Sequence, residues 1–415
     1  MGLFDRFKKV DPKPEQAPAP AAPAPTPTPT PAAPAQNASQ YVYSSPKINE
    51  LYQKIADTVT DMIPDEWTNL YFYGEVLNDS TTAFFYYRQK KTGALLYCHD
   101  IPEVYKVSKD TYDKMLTDDL FGTLRELRDE YINNGKAVWT NFTLTMDDDG
   151  NFNMKYNYDD VLNTDLLISD RYAFWQYEVL GRIPVEDKVR EKLKAFYGDR
   201  ANFPEKSKLI GQKLNAPNCP VCGAAELGKR DDMFYRCEKC LTRFYTNARK
   251  EILYTYDNEL NAAVVSAFKL ANEGDYTNAL KTLVPYENKA WDNLGYTYQL
   301  GMALRRAGYN SQACNVFFRC KYIKLDYVMA YHSTGLIMFA NRNFRSALRE
   351  YEYALKFLEA DKDSYSLDEQ RTFYAYYGGS LAGCGRKEEG EEYIKKAEAM
   401  GYTNGAVVRE IAGLA

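Results

Sequence analysis

A chain of 415 residues is long enough for two to four folded units, so a single small module is excluded. Hydrophobic residues at 45%, aromatics at 14% and charged residues at 26% exclude collagen-like and wholly disordered chains. With 52 Lys plus Arg against 57 Asp plus Glu, the net charge of −5 argues against a protein built to grip nucleic-acid backbone, and only two histidines, His99 and His332, exclude sites made of several imidazoles.

The start, MGLFDRFKKV, lacks the apolar core of a secretory signal, and no run approaches the roughly 20 apolar residues of a membrane helix, so a cytoplasmic location is expected. In residues 1–10, Leu3, Phe4, Phe7 and Val10 share one side of a short helix. That side could touch a membrane surface or a partner, although ten residues are too few for stable insertion, and a frayed terminus is the alternative. Residues 11–46 form a disordered spacer: ten prolines and eight alanines in residues 11–36 favour extended polyproline II.

Residues 47–184 mix periods and predict an α+β domain. Ile48, Leu51, Tyr52, Ile55, Val59 and Met62 recur at helical intervals until Pro64. LYFYGEV and TAFFYYRQ, separated by Asn78, Asp79 and Ser80, read as a hairpin, and Tyr112 to Tyr131 as a second amphipathic helix. A second hairpin follows in VWTNFTLTMDDDGNFNMKYNYDD. A three-residue loop, Asp148-Asp149-Gly150 with the glycine at positive φ, pairs Met146 with Phe152, Leu144 with Met154 and Phe142 with Tyr156, and leaves the threonines on the wet face. Residues 47–183 carry 14 basic and 24 acidic side chains, with acids gathered at Asp147, Asp148 and Asp149 and again at Asp159 and Asp160. These are polar turn tips or a surface for a basic partner. Cys98 and His99 are neighbours in a strand-like stretch, which would point them to opposite faces and deny them a nucleophile–base pairing.

The stretches LYQKIAD, IPDEW, YFYGEV, FFYYR, HDIPEVYKVS, WTNFTLT, GNFNMKYNYDD and RYAFWQYEVLGRIP resemble the YezG-like immunity proteins, antitoxins that accompany polymorphic toxins of Gram-positive bacteria. The resemblance implies a compact domain that binds a protein partner, a toxin domain that is in some systems a nuclease, and blocks it without catalysis. It supplies no contact residues. The usual members are short, whereas this chain continues far beyond the domain, so an adaptor or scaffold that reuses the immunity fold is the second reading.

After a helical connector, residues 185–214, the pairs Cys219-Pro220-Val221-Cys222 and Cys237-Glu238-Lys239-Cys240 lie fourteen residues apart. Two such turns supply the four-thiolate tetrahedron of a closed structural Zn2+ site, so residues 215–248 resemble a zinc ribbon, with a redox dithiol or an eroded site as alternatives. Lys229, Arg230, Arg236, Lys239 and Arg243 can balance the thiolate charge, which removes the need for nucleic acid as a partner.

Residues 258–415 repeat. Ala279, Ala313 and Ala347 are spaced by 34 residues, the tetratricopeptide period, and Gly301 and Gly335 hold the small position where two helices cross. Such repeats resemble peptide-binding scaffolds, and their register places Tyr298, Arg305 and His332 on the groove, as a docking surface for a second protein or peptide. The fold class expected is therefore multidomain: an α+β immunity-type domain, a small β zinc ribbon and an all-α solenoid. No constellation reads as an enzyme. The sequence does not name the target.

Overall fold

The computed structural model describes residues 43–231 and 233–414. The tip at 1–10 and most of the spacer expected over 11–46 lie outside them. Two compact units are formed, one from the residues up to Lys90 together with Leu95–Leu166, the other from Lys91–Ala94 and Leu167 onward.

The first unit begins with α1 (Pro46–Asp61). Ser45 caps it by accepting from the Ile48 amide, Pro46 opens it, and Ile48, Leu51, Ile55 and Val59 are its buried stripe. Strands β1 (Trp67–Val76), β2 (Thr81–Gln89) and β3 (Leu95–Tyr97) follow, then two short helices, α2 (Ile101–Tyr105) and α3 (Lys109–Lys114). A π-helical stretch, Met115–Leu120, joins α3 to α4 (Phe121–Asn133). The hairpin β4 (Asn141–Asp147) and β5 (Phe152–Asn157) completes a five-stranded antiparallel sheet in the order β3-β2-β1-β4-β5. Helix α4 lies across β1 and β2, with α1 beside it. Gly74 of β1 permits this approach: a Cβ there would meet the Phe142 and Phe72 rings at 3.0 Å and Leu124 at 3.1 Å.

The second hairpin adopts the register expected from its pattern. Met146 faces Phe152, Leu144 faces Met154 and Phe142 faces Tyr156, around a loop in which Gly150 has φ +86°. The expectation for Cys98 and His99 is corrected. They stand in a 3-10 turn, Cys98–Asp100, because β3 stops at Tyr97 and Pro102 opens the next helix. Cys98 is fully buried, its sulfur accepting from the Phe85 amide, and burial pushes its thiol up to about 12.

The second unit contains α5 (Ile168–Leu180) and α6 (Asp187–Tyr197), then a four-stranded antiparallel sheet of β6 (Leu227–Lys229), β7 (Phe234–Cys237), β8 (Arg243–Thr246) and β9 (Ile252–Tyr256) in sequence order. Helical hairpins follow: α7 (Asn258–Asn272) with α8 (Tyr276–Leu283), α9 (Leu294–Arg306) with α10 (Asn310–Ile323), α11 (Val328–Ala340) with α12 (Phe344–Ala360), and α13 (Leu367–Gly383) with α14 (Lys387–Ala399). A last helix, α15 (Gly405–Ala412), packs on α13 and α14. The small positions do what the repeat period demands. A Cβ at Gly301 would sit 2.5 Å from the Phe317 ring and one at Gly335 2.7 Å from Tyr351, while Ala279, Ala313 and Ala347 are wholly buried. In the last hairpin Gly378 and Gly390 bring two backbones together, since a Cβ on either would lie 2.5 Å from the other's carbonyl oxygen.

Candidate metal centre and docking surfaces

Each cysteine pair sits on a tight turn. The Gly223 amide donates to the Cys219 carbonyl at 2.8 Å and the Leu241 amide to that of Cys237 at 2.9 Å, with Gly223 and Leu241 both at positive φ. The turns face each other so that all four sulfurs lie within 4.8 Å of one another, Cys219 to Cys240 at 3.7 Å and Cys222 to Cys237 at 3.6 Å. A tetrahedral zinc with bonds of about 2.3 Å needs sulfur–sulfur edges of about 3.8 Å, so the donor set fits that ion and leaves no position open for substrate. Cys219 and Cys237 are buried against Leu214, Leu227, Tyr235, Phe244 and Ile252, and the Cys240 amide approaches the Cys237 sulfur at 3.5 Å, a donor that disperses thiolate charge. Of the basic residues nearby, Arg230 pairs with Glu238 and Arg243 donates to Asn258 at 2.9 Å.

The acidic residues occupy the two ends of the β4–β5 hairpin. Asp147 closes the loop by accepting from the Asn151 amide at 2.8 Å and from its side chain at 2.9 Å, and these hydrogen bonds hold its carboxyl below the usual range. Asp148 is exposed and pairs with Lys90 at 3.3 Å; Asp149 is exposed. Asp159 is half-buried and Asp160 exposed, accepting from Asn163. At about 3.3 Å per strand residue the two groups are roughly 20 Å apart, so they bracket an edge strand rather than merge into one patch. That strand, β5, pairs on one side only, with β4, and carries Phe152 at 45% exposure. A small apolar pocket of about 10 Å³, lined by Ile55, Ala56, Met146, Phe152 and Met154, lies between α1 and the hairpin.

Tyr298, Arg305 and His332 are brought together, but not all on the surface. Tyr298 is half-buried, its hydroxyl 3.2 Å from Ser333 and its ring edge-on to Tyr327. His332 is 5% exposed, held among Tyr351, Phe373 and Tyr376, with Nδ1 3.3 Å from the Tyr351 hydroxyl. The groove expectation is therefore corrected for His332: close packing of α11 on α12 and α13 puts it inside the stack. Burial, with the Arg305 charge adding to it, pushes its imidazole down to about 4.

The period alone did not reveal that the ribbon itself lies against the first helices. Asn293 donates to the Thr255 carbonyl at 2.6 Å, and a Cβ at Gly295 would clash with the Tyr254 ring and the Tyr256 hydroxyl. The Ala248 amide donates to Ser364 at 3.0 Å and Arg249 reaches Asp361.

A five-stranded antiparallel sheet backed by helices defines an α+β unit, followed by a four-cysteine ribbon and tetratricopeptide-like hairpins. Residues 48–194 match the family model of the YezG-like immunity proteins. Through them the chain belongs to the YezG-like immunity protein family. It is 43% identical over 152 residues to immunity protein YezG of Bacillus spizizenii, which spans 37% of this chain and 94% of that protein. Identity to immunity protein YezG of Bacillus subtilis is 42% over 151 residues, 36% of this chain and 99% of the relative. The type VII secretion system protein EsaG of Staphylococcus aureus is 26% identical over 148 residues, 36% of this chain and 90% of that protein. Among solved structures, MamA 41-end from Desulfovibrio magneticus RS-1 aligns with 35% of this chain and 76% of its own at 19% identity and a TM-score of 0.30. Among the described residues no helix is long and apolar enough to cross a membrane.

Proposed function

We propose that this protein is a non-catalytic immunity protein of the cytoplasm that neutralises a toxin domain by direct binding, with a structural zinc in the ribbon and the repeats as a second docking surface. One observation carries the reading: the chain contains 94% of the length of a relative named an immunity protein, at 43% identity. Binding rather than catalysis is supported by the placement of the reactive groups, since Cys98 is wholly buried and His332 sits uncharged inside the stack.

The binding surface is the edge formed by β5 and its flanking acids, Asp147, Asp148, Asp149, Asp159 and Asp160. A nuclease-like toxin holds phosphate on a basic face, and an acidic edge competes for that face. Complementarity of this kind raises the association rate and makes it salt-sensitive. Co-expression of the full chain with the toxin domain encoded beside its gene should rescue cells, and replacing the five aspartates by asparagine should slow association, the difference shrinking as salt is raised. Failure to rescue, with the protein folded and the toxin active, supports the scaffold reading. Unchanged association in the asparagine variant keeps the immunity role and discards the acidic edge.

A further inference from the structure

An antiparallel strand turns alternate peptide groups to its neighbour, so a terminal strand leaves every second N–H and C=O pointing outward. In β5 the ends of the ladder fix which ones. The Asp147 amide donates to the Asn151 carbonyl at 3.0 Å and the Thr140 amide to that of Asn157 at 2.9 Å. Asn153 and Lys155, opposite Thr145 and Thr143, therefore turn their backbones to β4. On the other side of β4 the Asp148 amide donates to the Thr68 carbonyl and the Val76 amide to that of Thr140, both at 3.0 Å, which assigns the alternate residues of β4 to β1. The backbones of Met154 and Tyr156 thus point away from the sheet, where no strand among the described residues meets them. Their side chains face α1: Met154 lines the small pocket with Ile55, and the Tyr156 hydroxyl donates to that of Tyr52 at 2.8 Å. Phe152 shares that face and is 45% exposed, while Asn153 and Lys155 are exposed on the opposite one.

An open sheet edge is a template for another strand, and charge selects which. Asp147, Asp148 and Asp149 stand at one end of β5, Asp159 and Asp160 at the other. A second copy of β5 laid alongside, parallel or antiparallel, would set acid against acid at both ends, so these residues oppose self-pairing. Resting on the reading of the β5 edge as the partner surface, we propose that the partner docks by adding an extended strand with basic flanks to β5, its main chain pairing with Met154 and Tyr156. Its side chains alternate, apolar beside Phe152 and polar beside Asn153 and Lys155. Main-chain pairing supplies the affinity, the alternation fixes the register, and the flanking charges set the association rate.

The test uses the full chain and a fluorescein-labelled decapeptide in which three valine–threonine pairs are flanked by two lysines at each end. One counterpart carries glutamates for the lysines, and another carries prolines at its two central positions. By fluorescence anisotropy the lysine peptide should bind, and each counterpart at least about tenfold more weakly. Hydrogen exchange read residue by residue should slow by about tenfold or more at the Met154 and Tyr156 amides on saturation with the lysine peptide, while the Asn153 and Lys155 amides, already paired, change little. Met154→Pro removes an outward N–H without removing a hydrogen bond between β4 and β5. It should lower affinity by about tenfold or more, with exchange at Thr143 and Thr145 showing that the hairpin is kept. No binding of the lysine peptide, equal binding of the three peptides, unslowed Met154 and Tyr156 amides in the bound chain, or parental affinity in Met154→Pro would each overturn the proposal. Exchange in the unaltered chain decides the matter even where the proline variant loses its hairpin. A dimer of the chain alone that Met154→Pro dissociates would overturn it in favour of a second copy at this edge. Rescue from the toxin is read separately, so rescue without slowed amides leaves the immunity reading standing, and slowed amides without rescue leave this site standing.

Discussion

The four cysteines carry their chemistry in spacing, and for that reason they were the most legible residues in the chain. Each Cys-x2-Cys turn aims its two sulfurs at one point, and the two turns meet with Cys219 3.7 Å from Cys240 and Cys222 3.6 Å from Cys237. One zinc per chain is expected by elemental analysis, and Cys237→Ser should abolish it and unfold the ribbon, since closed sites of this kind supply folding energy outright. Zinc-free protein, or a ribbon that keeps its fold in the variant, would contradict this. His332 was less legible, because register placed it on a face while packing decides depth. Its imidazole falls from the ordinary 6.5 to about 4 when folded. Between those values the unfolded chain binds the proton and the folded chain does not, so stability is full above pH 6.5 and declines as pH falls toward 4, by roughly 3 kcal/mol in all. Urea unfolding between pH 7 and 5 should show this slope, and His332→Phe should flatten it. An equal slope in both proteins would refute the assignment.

Among elements, the β4–β5 hairpin could be registered in advance because its apolar alternation tolerates one loop length, while the docking of β9 on α9 could not, because it depends on partners distant in sequence. Gly295 of α9, distant in sequence, leaves the room that Tyr254 and Tyr256 occupy. The repeat turns show a finer irregularity. Gly274, Gly308 and Gly385 take φ near +90° between the two helices of their hairpins, and the equivalent residue of the third hairpin is Arg342, at φ +57°. A side chain in the left-handed region costs about 1 to 2 kcal/mol, part of which glycine returns through its greater freedom when unfolded. Arg342→Gly should therefore stabilise the chain by about 0.5 to 1 kcal/mol in chemical denaturation. Destabilisation by that amount would mean that the exposed Arg342 side chain makes a contribution larger than its backbone strain.

At the scale of the molecule, a short immunity fold is joined to two further modules, and charge is distributed accordingly. The excess acid lies in residues 47–183, with 24 acidic against 14 basic side chains, while the chain as a whole is at −5. The proposed acidic edge and the four-cysteine cluster therefore belong to different parts of the chain. The direct test of neutralisation is a titration of the purified toxin domain, its own activity as the readout, with increasing amounts of the full-length protein. Activity should fall linearly to background at one chain per toxin, with the same end point at low and high salt and slower onset at high salt. Residual toxin activity at a severalfold excess of folded, zinc-loaded protein would contradict the account.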